Sequence, residues 1–234
     1  MERQWNTVQH QQFSNYTAPP ALAHPPALRF AAHFLSYAFH PVFIPFYTIC
    51  FLLLFEPRFF IGLPPMEKTL LPVRFFIMYA FFPVVTVLLA KGLGFLDSFY
   101  LKTQRDRIIP YMACIIFYFW MAYVLRNQPQ FPREMGQLAL GIFIASSLGL
   151  LFNIYMKISL HAISMGILLA FMGALAINQP ANFTIYLSVA VLVAGLVCTA
   201  RLIVSDHRPV EIYMGLLAGA FSMLAGIWAD GILP

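Results

Sequence analysis

The chain has 234 residues, 61% hydrophobic and only 10% charged, with a formal net charge of +5. A soluble domain carries about 25% charged residues, so the composition is that of an integral membrane protein. The positive excess then points to anionic lipid headgroups and away from nucleic acid. Cys50, Cys114 and Cys198 lie far apart within apolar stretches, which gives neither a disulfide framework nor metal-ligand spacing. They read as small packing residues.

Residues 1–34 are rich in Gln, Asn, Pro, Ala and His and lack the basic start and apolar core of a signal peptide. They are expected to form a flexible or surface-lying arm, with His10, His24 and His33 too loosely spaced to argue for a metal. From there residues 35–234 read as a single integral membrane domain. About 20 apolar residues of helix cross the hydrocarbon. By that rule seven segments follow in order, at 35–55, 70–90, 108–125, 136–155, 159–177, 183–204 and 210–228. The connections hold the helix breakers: Pro57, Pro64 and Pro65, then Gly92 and Gly94, then Pro129 and Pro132, then Asn178 to Pro180. The expectation is an all-α, polytopic helical bundle of six to seven crossing helices.

Three polar clusters interrupt the apolar segments: Lys102 to Pro110, Lys157 to His161, and Arg201 to Glu211. Ionisable groups next to hydrocarbon are costly unless paired, and by default they mark function. An even number of crossings separates each pair of clusters. All three are therefore expected on one side of the membrane, where one shared site is geometrically possible.

The residue types suit a phosphate ester. Lys102, Arg105 or Arg107, and Arg201 supply cations to clamp phosphate oxygens, Arg with the better two-pronged fit. Such clamping carries much of the catalysis in phosphoryl transfer. Two histidines divide the remaining work, one attacking phosphorus as a neutral imidazole and the other protonating the departing alkoxide. Glu211 follows His207 by four residues, one turn away if the chain is helical there. From that position it would hold the imidazole in the tautomer whose free nitrogen faces phosphorus.

With these residues in view, the chain resembles the type 2 phosphatidic acid phosphatase (lipid phosphate phosphatase) superfamily. Its signatures are Lys-x6-Arg-Pro, Pro-Ser-Gly-His and Ser-Arg-x5-His-x3-Asp. The third stands here as Ala200-Arg201, His207 and Glu211 at the family spacing, with Ala for Ser and Glu for Asp. The second stands as Ile158-Ser159-Leu160-His161, without the Pro and the Gly. The first stands as Lys102 and Pro110 with Ile109 in the Arg position, leaving Arg107 or Arg105 to replace that Arg. The resemblance covers residues 95–220, including motif order and the number of helices between motifs.

The resemblance implies a six-helix phosphatase core with His207 as nucleophile, Glu211 as its orienting partner and His161 as general acid. Ser159, Lys102 and Arg201 would bind phosphate. It implies a phosphohistidine intermediate, no metal and no cofactor. The substrate would be a lipid phosphate or diphosphate: phosphatidic acid, phosphatidylglycerol phosphate or a polyprenyl diphosphate. Bacterial relatives place such chemistry at the inner (cell) membrane. Two other classes stay open, a non-catalytic relative that binds lipid phosphates and a transporter or flippase-like protein. Of the 14 Lys and Arg residues, nine fall on the motif side, which by the positive-inside rule faces the cytoplasm. Removing the three proposed ligands Lys102, Arg107 and Arg201 leaves six against five, too even to orient the chain. Gly215 and Gly219 form a small-xxx-small pattern expected to mark close helix packing.

Overall fold

The computed structural model describes residues 24–96, 104–179, 182–204 and 207–232. Lys102, one of the expected phosphate ligands, lies outside them. Among the described residues the protein is an all-α bundle without strands. Its helices are α1 (Pro26–Ala38), α2 (Ile44–Phe55), α3 (Pro65–Phe76), α4 (Phe82–Gly92), α5 (Ile108–Arg126), α6 (Arg133–Tyr155), α7 (Leu160–Asn178), α8 (Thr184–Val204) and α9 (Pro209–Ile232).

Among the described residues, six helical stretches are long and apolar enough to cross a membrane, and seven if the bent pair at the start counts as one span. Large apolar side chains such as Phe30, Leu54, Ile116, Leu192, Leu217 and Trp228 are exposed around the bundle. Surface of that extent is unsuited to water and suited to acyl chains.

Two proline effects shape the N-terminal half. The first apolar element starts at Pro26, within the stretch expected to be an arm, and it is not continuous. A proline disfavours the α conformation in the residue before it, and His40, preceding Pro41, is extended at φ −64° and ψ 138°. The result is a bend of 40° between Pro26–Ala38 and Pro41–Phe55. Farther on, α3 runs into α4 through a π-helical turn, Ile77–Phe81. Pro83 has no N–H to offer the Tyr79 carbonyl one turn back. The Tyr118 hydroxyl on α5 donates to that carbonyl at 3.1 Å.

The centre of the bundle is the α7–α9 pair, with α6 packed on α9, α5 on α6, α8 on α7 and α1 on α8. Glycines make the α7–α9 contact unusually close. A Cβ on Gly215 would stand 2.8 Å from the Ala162 Cβ and 2.9 Å from the Ser159 carbonyl oxygen. At Gly219 it would strike the Ile163 backbone, and a Cβ on Gly166 would strike the backbone of Leu216. The small-xxx-small pattern is thus a helix-packing seam. Its far end carries Asp230, which takes Arg133 at 2.6 Å, Gln137 at 3.1 Å and Arg126 at 3.6 Å.

Candidate active site

The near end of the seam gathers most of the sequence clusters. Helix α9 begins Pro209-Val210-Glu211, with Pro at the first helical position, where its missing N–H costs nothing. Glu211, in the third position, reaches back so that Oε2 accepts the Arg208 backbone N–H at 3.2 Å, as in a capping box. The same oxygen lies 2.9 Å from Nδ1 of His207. A carboxylate only accepts, so Nδ1 carries the proton and Nε2 keeps the free electron pair. This is the expected pairing reached by a different route. His207 stands ahead of the helix, and the capping turn brings the two side chains together without a helical turn between them.

Burial holds the pair out of solvent, with the His207 and Glu211 side chains 4% and 5% exposed. The imidazole pKa is pushed below its usual value, first by burial, with the Glu211 hydrogen bond opposing and the Arg107 and Arg201 charges adding to the shift. The shift favours the neutral imidazole, the form in which Nε2 can act as a nucleophile.

The α7 start lies against this pair. Ser159 donates its N–H to the Glu211 carbonyl at 3.2 Å, and the tight fit at Gly215 leaves little room for any other register. The Ser159 hydroxyl is the helix cap, accepting the Ala162 N–H at 3.4 Å, and the residue is fully buried. That duty is structural and does not hold the hydroxyl out for a phosphate oxygen. His161 follows within the first turn, within reach of the Arg201 charge and beside the His40 ring.

Of the two arginines left open by the sequence, Arg107 enters the site. It is buried and donates from Nη1 to the Ile158 carbonyl at 3.0 Å, tying the α5 start to the α6–α7 connection. Arg105 is exposed. The connection is held a second time by Asn153, whose Nδ2 donates to the Gln104 carbonyl at 2.8 Å. Arg201, on the last turn of α8, reaches the Ser36 hydroxyl at 3.5 Å.

Two residues at the site carry no motif: Ser36 and His40. The Ser36 carbonyl accepts from Nε2 of His161 at 3.0 Å, and the His40 ring meets the His161 ring edge-on at 5.4 Å between centroids. The one available signal is a polar residue directly before a proline in an apolar stretch, which marks a helix break at His40.

Below the polar cluster lies a cavity of about 310 Å³ between α2, α4, α5, α6 and α7, lined among others by His40, Val87, Tyr111, Leu160 and Ile167. Most of its wall hydroxyls are already used, while the buried Tyr111 hydroxyl and Nδ1 of His40 have no hydrogen-bond partner among the described residues. Thr48 donates to the Ile44 carbonyl, Ser146 to Phe143, Ser164 to His161 and Tyr118 to Tyr79. To a ligand the walls are therefore mainly hydrocarbon, with Tyr111 and His40 as the polar exceptions. Leu160, standing where the family signature has Gly, forms part of this wall.

Among the described residues no three of His, Cys, Asp and Glu converge as metal ligands. No family model, curated protein or solved structure matches the chain.

Proposed function

We propose that the protein is a membrane-embedded phosphatase that hydrolyses a lipid-linked phosphate or diphosphate through a phosphohistidine. The observation that carries this reading is the buried His207 with Glu211 2.9 Å from its Nδ1 and the Arg107 and Arg201 charges acting on its ring. Nε2 of His207 bonds to phosphorus as the ester P–O bond breaks, and His161 gives a proton to the departing alkoxide. Water then attacks the phosphohistidine, His161 takes back a proton, and the P–N electron pair returns to Nε2. The guanidinium groups offset the charge that gathers on the phosphoryl oxygens. The adjacent apolar cavity supports a lipid substrate, because a hydrocarbon chain entering from the bilayer never has to cross water.

The test is phosphate release by purified protein from phosphatidic acid, phosphatidylglycerol phosphate and a polyprenyl diphosphate, in the presence of chelator, beside His207→Ala. Release that survives chelation and vanishes in the variant is expected. Release that persists in His207→Ala sinks the nucleophile assignment.

A second reading, lipid-phosphate binding without turnover, is favoured by groups already committed to protein partners: the Ser159 hydroxyl to the α7 cap and Arg107 to the Ile158 carbonyl. It predicts saturable binding of the same lipids with no phosphate released.

A further inference from the structure

The end of α1 supplies an element that no motif contains. A helix leaves its last four carbonyls without partners of its own. In α1 all four are met: Leu35 by the Phe39 N–H at 2.9 Å, Tyr37 by the His40 N–H at 3.3 Å, Ala38 by the Tyr47 hydroxyl at 3.0 Å, and Ser36 by Nε2 of His161 at 3.0 Å. Three of these partners are local. The fourth comes from α7, across 125 residues of sequence.

The chemistry of that contact fixes a tautomer. A carbonyl oxygen only accepts, so Nε2 of His161 carries a hydrogen in either charge state, and the proton that the ring gains or loses sits on Nδ1. We infer that Ser36 is the positioning residue of His161, so that the two histidines work through opposite nitrogens, His207 through Nε2 and His161 through Nδ1. This rests on the phosphatase reading for its catalytic meaning, while the nitrogen assignment itself does not. The Ser36 carbonyl stands to His161 as the Glu211 carboxylate stands to His207. Each ring has an oxygen acceptor behind it, and for His161 the acceptor lies at the negative end of the α1 dipole. Ser36 also offers its hydroxyl to Arg201 at 3.5 Å, so one buried residue braces both the acid and a cation of the site. In the reaction the proton leaving Nδ1 of His161 goes to the alkoxide oxygen freed when the P–O bond breaks, and the proton of the attacking water returns to Nδ1.

The decisive variant replaces Tyr37 by its α-hydroxy acid, turning the Ser36 carbonyl from amide into ester, a weaker acceptor, with every side chain kept. The same replacement at Ala38 weakens the Tyr37 carbonyl and serves as control. General acid catalysis contributes on the order of 10²- to 10⁴-fold, and it matters for an alkyl phosphate but little for an aryl phosphate, whose leaving group needs no proton. The expected result at position 37 is a kcat lowered about tenfold on the lipid phosphate, with KM and aryl phosphate turnover kept and the position 38 control near wild type. Equal losses on both substrates, or none, overturn the inference.

Nitrogen-15 spectra of histidine-labelled protein provide the second measurement, with the His161 signals assigned by their loss in His161→Asn. A hydrogen on Nε2 of the neutral ring is expected, and a neutral ring protonated on Nδ1 overturns the assignment. Should the wild type release phosphate from neither ester, the phosphatase reading falls, and the spectra still decide which nitrogen of His161 carries the fixed hydrogen.

Discussion

His207 and Glu211 are joined by a carboxylate oxygen that serves two donors, the His207 imidazole at 2.9 Å and the Arg208 backbone N–H at 3.2 Å. The proposed catalytic contact and helix initiation thereby fall on one atom. Glu211→Gln keeps the shape but exchanges a charged acceptor for an amide that can turn its NH2 group towards the ring and so favour the wrong tautomer. Turnover is expected to fall on the order of 10²-fold or more, with thermal stability lowered by about 1 kcal/mol for the weakened helix start. Phosphate release and a melting curve in the same detergent check both effects. Unchanged turnover removes Glu211 from the mechanism.

On the proposed mechanism the lowered pKa of His207 would set the acid limb of the pH profile. Neutral imidazole is the reactive form, so a group held below its ordinary value stays reactive at lower pH than a free histidine. The acid limb of kcat/KM is therefore expected below about 6.5. Arg201→Gln takes away one of the charges that lower the pKa, and the limb should move upward in pH as the rate falls. A limb that stays in place, or moves downward, contradicts the electrostatic assignment.

The apolar cavity is tested by filling it. Val87 lines the cavity from α4 and is half-buried, so Val87→Trp intrudes on the space without emptying the core. KM for a long-chain lipid phosphate is expected to rise several-fold while a short, water-soluble phosphate ester is handled as before. An equal change for both substrates places the hydrocarbon chain elsewhere.

The glycine seam gives a stability prediction with an internal control. Gly219→Ala drives a methyl group into the Ile163 backbone, whereas nothing stands within 4 Å of a Cβ at Gly173 on the same pair of helices. The first change is expected to cost about 1–3 kcal/mol. Gly173→Ala should be neutral or slightly stabilising, since alanine is the better helix former. Melting temperatures of the two variants decide whether the seam is as tight as described.

Hydropathy placed six of the seven apolar segments near their observed helices, because in lipid a helix must satisfy its own backbone and its length must match the hydrocarbon. The first was misread at its start and interior. Pro41 was passed over as a breaker within an apolar stretch, although a proline there fixes the conformation of His40. In the site, the spacing of Arg201, His207 and Glu211 and the even number of crossings were legible, since both depend on chain order alone. Three features were not. Whether Arg105 or Arg107 turns inward depends on a short 3-10 turn, Arg105–Arg107, that no pattern predicts. Ser159 could not be seen to be consumed by its own helix. Ser36 meets His161 only through the packing of α1 on α8, and its contribution is a carbonyl, which every residue carries and no sequence signature can mark.

The α7–α9 seam bears on more than stability. Ser159 and Glu211 sit at its end, bonded backbone to backbone, so the separation of the two turns that carry the candidate site is set by helix against helix and not by a connecting loop. A helix advances about 1.5 Å and turns about 100° with each residue, so a slip of one position along the seam would carry His207 and Glu211 together away from Ser159 and His161. Small shifts are opposed by glycine-lined backbones already in contact, and larger ones require unpacking the pair. The site has in effect two working states, assembled or absent, and variation along the seam should change the fraction of active molecules before it changes the rate of any one of them.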